Sequence, residues 1–489
     1  MKEFFYRPEN AWVGDIIPYY EDGEFKLFYL HGWRGNFREG LDHGWHLLGT
    51  KDFVNYREDG ACKIEGGTGH ILKVGNVYHM FYCIFPEGKQ LACHAISKDL
   101  QTWEPIPEDT FGPDGEIYEL ADWRDPFVFW NEEESQYWML IAALAKGPTN
   151  RKGCTGLLSS KDLKHWEYRE PLYAPNLHVG AHECPDLFRM GDWWYLIYSS
   201  YTGRFGTFYR MSRSLKGPWM TPQEEAFDGR AYYAAKSVSD GQKRYLFGWN
   251  PTKDDDLFGW NPPKSPGKDY DTWDWGGNMI VHEIIQRSDG TLGVNVPATV
   301  DSAFAQQAPA NFQRIAGDWA ITDDGLLCES PYAFAGCITQ EELPDQCKIS
   351  TTVCFSGSTQ GLGFMLRAGE TLDFAYYITL EPQRSRITFR GPIMQSEEGG
   401  KTFPYDVELE RPLKLLPEQE YELKVFIDGT ICEIYVNGDV AMSARMYDIQ
   451  QGKLAIFVSQ GAAEFHRVKI ETLEADPALQ LEQNINASG

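Results

Sequence analysis

Three acidic residues open apolar, strand-like segments in this 489-residue chain. Asp15 precedes Ile16-Ile17-Pro18-Tyr19-Tyr20. Asp125 lies in Ala121-Asp122-Trp123-Arg124-Asp125-Pro126, just before the apolar residues 127–130. Glu183 precedes Cys184-Pro185-Asp186-Leu187-Phe188. After each segment comes a turn and then an aromatic-rich strand, at 25–30, 137–142 and 193–198. The layout puts one acid in one register of three units that look like copies of one another. Carboxylates gathered beside aromatic side chains suit the cleavage of a glycosidic bond. One donates a proton to the leaving oxygen, and another attacks the anomeric carbon or activates a water. A third holds hydroxyls and stabilises developing positive charge. One acid at a strand start is more simply a turn-binding or lysine-pairing group; three in the same place of a repeat argue for a site.

The elements that must position them repeat along the first half of the chain. An aromatic strand after a glycine or polar turn occurs as Gly23-Glu24-Phe25-Lys26-Leu27 and as Gly75-Asn76-Val77-Tyr78-His79. It returns as Ser135-Gln136-Tyr137-Trp138, as Gly191-Asp192-Trp193-Trp194 and as Gly241-Gln242-Lys243-Arg244-Tyr245. The spacing of roughly 50–60 residues is that of a propeller blade with its loops. A polar turn follows most of these strands: Thr50-Lys51-Asp52-Phe53, Ser97-Lys98-Asp99-Leu100, Ser160-Lys161-Asp162-Leu163 and Ser212-Arg213-Ser214-Leu215. It marks the step from a third to an outermost strand. Helical periodicity is nearly absent. Five four-stranded units fit residues 1–297 as a five-bladed β-propeller catalytic domain. Most aromatic stripes then pack blade against blade.

In a propeller the first strand of each blade lines the central channel. Asp15, Asp125 and Glu183 therefore surround one mouth, from blades one, three and four. Blades two and five bring Thr68-Gly69-His70 and Tyr232-Tyr233 to that register. The loops between second and third strands, at 31–44, 85–89, 146–153, 202–205 and 250–276, open on the same face. Trp33 lies in the first of them. Trp260, Trp273 and Trp275 lie in the last and longest, as candidate sugar platforms.

After Pro297 the texture changes. Residues 298–311 are small and polar and are expected to be a linker. Residues 312–475 alternate apolar and polar in strand-length pieces, among them 348–355, 361–367, 375–380, 386–389, 420–427, 430–436, 453–458 and 465–471, with Gly and Asn turns between. That is the pattern of a β-sandwich. No convergent acids occur in it. Residues 476–489 form a polar tail. The fold class is therefore all-β, a propeller followed by a sandwich.

Bulk properties narrow the partners. The net charge of −26 argues against nucleic acid, whose phosphates require Lys and Arg. No apolar run is long enough to span a bilayer. The first residues, Met1-Lys2-Glu3-Phe4-Phe5-Tyr6-Arg7-Pro8, have no secretory signature, so a cytoplasmic location is expected. The ten cysteines form no close-set pairs and are expected as reduced thiols. His43, His46, His70, His79 and His94 fall in no metal-binding frame, and no metal or organic cofactor is expected.

Trp123-Arg124-Asp125-Pro126-Phe127 resembles the RDP motif of glycoside hydrolase family 32, the fructosidases that include invertases, inulinases and levanases. Glu183-Cys184-Pro185-Asp186-Leu187 resembles that family's EC motif, and Tyr233-Ala234-Ala235-Lys236 a further stretch in blade five. The segments 425–429, 433–438 and 443–447 resemble the family's C-terminal sandwich. The resemblance covers nearly the whole chain. It implies the propeller and sandwich, with Asp15 as nucleophile, Asp125 as transition-state stabiliser, Glu183 as acid/base and Arg124 binding sugar hydroxyls beside Asp125. Trp12, Trp33, His70, Tyr233, Trp260 and Trp273 complete the expected substrate-binding set. The family retains configuration, so the nucleophile and acid/base are expected about 5–5.5 Å apart. Glu183 needs a raised pKa to start protonated.

The first motif departs from the family's usual WMNDPNG and reads Trp12-Val13-Gly14-Asp15-Ile16-Ile17-Pro18. Tryptophan and acid remain; the side-chain amides are gone. The stretch matching FSGS reads Glu65-Gly66-Gly67-Thr68-Gly69-His70. The expected function is a retaining glycoside hydrolase acting on a β-fructofuranoside or related furanoside in short oligosaccharides. Three alternatives stand beside it: a fructosyl or glycosyl transferase, an inverting arabinanase-type propeller glycosidase, and a non-catalytic sugar-binding protein. The expected partner is a small carbohydrate, with neither nucleic acid nor membrane.

Overall fold

The computed structural model describes residues 3–9, 11–32, 44–252, 275–372, 374–392, 394–395, 401–402 and 409–473. The chain divides into two compact units, Glu3–Leu292 and the part beginning at Gly293.

The first unit is a five-bladed propeller whose sheets are antiparallel and ordered as in sequence. Blade 1 holds Trp12–Glu21, Glu24–Gly32, Trp45–Thr50 and Tyr56–Ala61. Blade 2 holds Gly67–Val74, Val77–Ile84, Leu91–Ser97 and Trp103–Pro105. Blade 3 holds Arg124–Asn131, Gln136–Leu144, Gly153–Ser160 and Glu167–Tyr173. Blade 4 has three strands, Glu183–Met190, Trp193–Ser200 and Gly206–Ser212. Blade 5 has Tyr233–Ser239, Arg244–Pro251 and Gly277–Gln286, with Leu292–Asn295 on its outer side. The five first strands touch one another in ring order, the fifth closing on the first.

Aromatic and branched residues on alternate positions of these strands fill the space between blades. Ile17, Phe28 and Trp45 of blade 1 meet Ile71, Met80 and Trp103 of blade 2. Phe81 meets Val128, Met139 and Leu158 of blade 3. Phe127, Trp138 and Leu140 meet Leu187 and Leu196 of blade 4. Each fully buried side chain of this size contributes about 1.5–3 kcal/mol. The ring closes where the Met279 N–H donates to the Tyr6 carbonyl at 2.9 Å, and Val13 pairs with Gly277.

Blade 4 lacks the expected fourth strand. In its place Met220 and Ala226 make isolated bridges to Met211 and Phe208. Pro218 and Pro222 lie in this segment, and neither has an N–H for a ladder.

The second unit is a β-sandwich. Its longest strand, Lys453–Leu473, serves both layers. Its first half lies between Gly361–Ala368 and the end of Gly325–Glu342. Its second half lies between Gln346–Phe355 and the start of Gly325–Glu342. The left-handed Gln460 stands where it passes from one sheet into the other, and the left-handed Arg467 lies at a bulge against Gln346–Phe355. The segments 453–458 and 465–471, expected as two strands, are thus one. The expected linker is ordered. Ala298–Ala303 forms a short helix, and Phe304–Ala308 pairs with the end of the long strand from Leu473 to Ile470. Small polar side chains concealed this, because an edge strand needs only backbone groups to pair. The tail lies outside the described residues. Among the described residues no helix is long and apolar enough to cross a membrane.

The turn into the outermost strand has one construction in blades 1–3. The Thr50, Ser97 and Ser160 hydroxyls accept the N–H three residues on, from Phe53, Leu100 and Leu163, at 3.0 Å in each case. Those three residues are left-handed, with φ of 60°, 64° and 66°. The aspartate between them, Asp52, Asp99 or Asp162, accepts the next two N–H groups. Ser160→Ala leaves the buried Leu163 N–H without its acceptor. It is expected to cost about 1–3 kcal/mol of stability, measured by denaturant unfolding, with Thr155→Ser as a mild reference change on the same strand.

Candidate active site

Each first strand carries the same irregularity near its start, two residues set against one on the second strand. Gly14-Asp15 lies between the pairs Val13–His31 and Ile16–Tyr29. Thr68-Gly69 lies between Gly67–Cys83 and His70–Phe81. Asp125-Pro126 lies between Arg124–Ala142 and Phe127–Leu140. Cys184-Pro185 lies between Glu183–Ser199 and Asp186–Ile197, and Ala234-Ala235 between Tyr233–Trp249 and Lys236–Phe247. These are β-bulges, where the extra residue leaves the ladder, which is why Pro126 and Pro185 are tolerated.

Aligned on those pairs, the acids do not share one register. Glu183 takes the place of Arg124 and Tyr233. Asp125 takes that of Gly14, Thr68, Cys184 and Ala234. Asp15 takes that of Gly69, Pro126, Pro185 and Ala235. The expected single register is therefore three successive positions of one bulge. A bulge breaks the alternation of a strand, so neighbouring residues can turn toward the same space. Asp125, Cys184 and Ala234 share left-handed backbone, with φ of 57°, 49° and 54°. Such a conformation costs about 1–2 kcal/mol outside glycine.

All three acids line one cavity of about 230 Å³, together with Thr68, Phe85, Arg124, Tyr233 and Trp275. Asp15 accepts from the Thr68 hydroxyl on Oδ2 at 2.6 Å. Its Oδ1 accepts from the indole N–H groups of Trp249 at 2.9 Å and Trp275 at 3.1 Å. Burial and the Asp125 charge raise the Asp15 pKa, and the three donors pull it back. Glu183 Oε1 accepts from Arg124 Nη2 at 2.9 Å, and its Oε2 accepts from the Tyr233 hydroxyl. Burial pushes Glu183 up to about 7, with Asp125 adding to the rise, while Arg124 and Tyr233 oppose it. Asp125 Oδ2 accepts the Cys184 N–H at 2.9 Å. Arg124 is fixed from behind by Gln90 Oε1 at 3.1 Å and by Asp122.

Of the expected binding residues, Arg124 and Tyr233 line the cavity. Tyr233 is held by stacking on Phe205, ring centroids 4.0 Å apart. His70 and Trp12 are not in the wall. His70 follows the blade 2 bulge, so it sits one step deeper. Its ring packs on Phe127, its Nδ1 accepts the Val128 N–H at 3.4 Å, and burial with the nearby Lys236 charge pushes its pKa down to about 3. The hydroxyl that reaches Asp15 from this stretch is that of Thr68. Trp12 is buried at the start of its strand, before the bulge, with the Arg7 guanidinium over its ring. Trp33, Trp260 and Trp273 lie outside the described residues.

Trp249 and Phe85 were not singled out from sequence. Trp249 pairs directly with Tyr233, a signal that needs the register of blade 5. Phe85 begins a loop already expected on this face.

Residues 112–265 match the model of the glycosyl hydrolases family 32 N-terminal domain, and residues 336–472 match that of the family's C-terminal domain. The first match includes Asp125 and Glu183 and begins after Asp15. A sucrose-6-phosphate hydrolase from Escherichia coli is 23% identical over 77% of this chain and 71% of its own length. A raffinose invertase from Escherichia coli is 23% identical over 94% of this chain and 92% of its own. The crystal structure of an exo-inulinase from Aspergillus awamori superposes with a TM-score of 0.69 at 16% identity, over 97% of this chain and 98% of that one. With both of its domains matched, the chain belongs to glycosyl hydrolases family 32 and is a glycoside hydrolase.

Proposed function

We infer that the protein hydrolyses a β-fructofuranoside or a closely related furanoside in a short oligosaccharide, with retention at the anomeric carbon. The observation that carries this is the convergence of Asp15, Asp125 and Glu183 on one small cavity, with Glu183 held near neutrality. The fructosides named for the relatives, sucrose-6-phosphate and raffinose, support the glycone.

Asp15 is the nucleophile. Its oxygens accept from three N–H and O–H donors, which oppose the rise that burial and Asp125 impose and so favour the anion that must attack. Glu183 starts protonated and passes its proton to the leaving oxygen as the glycosidic bond breaks and Asp15 forms the glycosyl ester. It then takes a proton from the water that hydrolyses that ester, so both carboxyls return to their starting states. Asp125, braced by the Cys184 N–H, offers negative charge to the oxocarbenium-like transition state. Arg124 binds sugar hydroxyls and steadies Glu183.

The roles separate experimentally. Asp15→Ala and Glu183→Ala are expected to lower kcat on an unactivated furanoside by about 10²-fold or more. With an aryl furanoside, azide is expected to restore turnover of Glu183→Ala and give a glycosyl azide of retained configuration. Failure of azide to act on Glu183→Ala, or its retaining rescue of Asp15→Ala instead, would exchange or refute the assignments.

The pH profile follows from the sign of the Glu183 shift. Turnover needs this carboxyl protonated, so kcat/KM is expected to fall as pH rises through about 7. The Tyr233 hydroxyl favours the anion. Its removal in Tyr233→Phe is therefore expected to move the alkaline limb to higher pH, measured as the pH dependence of kcat/KM.

A further inference from the structure

Gly14 precedes Asp15 within the blade 1 bulge. A side chain there has no room: a Cβ on Gly14 would fall inside the indole of Trp275, closer than non-bonded atoms can approach. Its backbone is not left-handed, so space and not conformation calls for glycine. On the adjoining strand a Cβ on Gly32 would lie 3.2 Å from Cζ3 of the same indole. Two glycines thus make the seat on which Trp275 rests.

The seat is fixed at its other end too. Gly276 turns with φ of 84°, and Gly277 pairs with Val13, tying the start of the third blade 5 strand to the bulge itself. From this position the Trp275 N–H reaches Asp15 Oδ1, the oxygen that Trp249 also holds. Trp275 remains 39% exposed and lines the cavity. One edge of the indole therefore serves the carboxylate while its surface forms cavity wall.

We propose that Gly14 and Trp275 form a coupled specificity device, in which the missing side chain at 14 seats the indole so that it positions Asp15 and presents an apolar wall to the glycone. This deepens the furanosidase reading and rests on it. A hydroxyl facing an indole surface goes unpaired and is penalised, so the site takes a furanose that turns C–H groups to this wall. Trp275 is a positioning residue through its N–H and a specificity residue through its ring.

The test is a cycle of Gly14→Ala, Trp275→Ala and the double variant, with Trp275→Phe separating N–H from ring. Trp275→Phe is expected to lower kcat several-fold with KM within about three-fold. Its acid limb should shift to higher pH, because a donor to Asp15 is lost. Trp275→Ala should in addition raise KM about ten-fold. Gly14→Ala, which removes no contact to substrate, should reproduce the Trp275→Ala kinetics. The double variant should be no worse than either single one, and should recover the melting temperature lost in Gly14→Ala. Wild-type kinetics in Gly14→Ala, additive losses in the double variant, or an unmoved acid limb in Trp275→Phe would each overturn the proposal. If the wild-type protein cleaves no furanoside, the proposed function falls. The coupling is then still read by the melting temperatures of the same four proteins, where additivity refutes the shared seat and rescue by the double variant sustains it.

Discussion

Hydrogen bonds made around the mouth and upper floor of the channel cross every junction between neighbouring blades. Thr68 to Asp15 joins blades 1 and 2, and Val128 to His70 joins 2 and 3. Arg124 to Glu183 and Cys184 to Asp125 join 3 and 4. Tyr233 to Glu183, Ser237 to Asp186 and Lys236 to the Pro185 carbonyl join 4 and 5. Trp249 to Asp15 joins 5 and 1. Apolar packing between blades is non-directional and leaves rotation of one sheet against the next soft. These bonds add directional links across each junction. The cluster of acids thus depends on the ring, and the ring is fastened partly by the acids.

Gathering three carboxylates in a buried space is costly unless each is hydrogen-bonded. The chain meets this with one guanidinium, two indoles, two hydroxyls and a backbone N–H, each supplied by a blade or segment other than the acceptor's own. The distribution is uneven. Among the described residues Asp15 receives three neutral donors and no cation in its hydrogen bonds. Glu183 receives the Arg124 charge yet still sits near 7, because burial and Asp125 outweigh it. Burial and Asp125 raise both carboxyls, so what distinguishes them is the partner set, neutral donors at Asp15 and a cation at Glu183.

How far this was legible in the sequence depended on whether a residue's placement is local. Arg124-Asp125-Pro126 and Glu183-Cys184-Pro185 announce themselves, because a proline two or fewer residues after an acid at a strand start marks the bulge. The blade repeat was legible because its signal is periodic. The exact alignment of Asp15 was not: Gly14-Asp15-Ile16 contains no proline, and only the pairs Val13–His31 and Ile16–Tyr29 show that the acid stands one place beyond Asp125. His70 looked like a site residue for the same reason, since a strand without its bulge would have turned it toward the mouth. Trp249 and Trp275 reach Asp15 across more than 230 positions of sequence, and pairing over that span leaves no local trace. The helix and strand at 298–308 were hidden because edge pairing is a backbone property.

The altered first motif is the place where these lines meet. Gly14 leaves open space beside Asp15, and an unfilled gap or an unpaired buried carboxylate costs several kcal/mol. The structure fills the gap from the opposite end of the ring. A tryptophan carried at the return of the blade 5 loop supplies both the missing volume and a donor. Because the same loop return pairs with Val13, the replacement arrives on the blade 1–blade 5 junction, which closes the propeller. The side chain absent at one residue of the bulge thus leaves room for an indole with no neighbour in sequence to it, and the three described donors to Asp15 all come from blades other than its own.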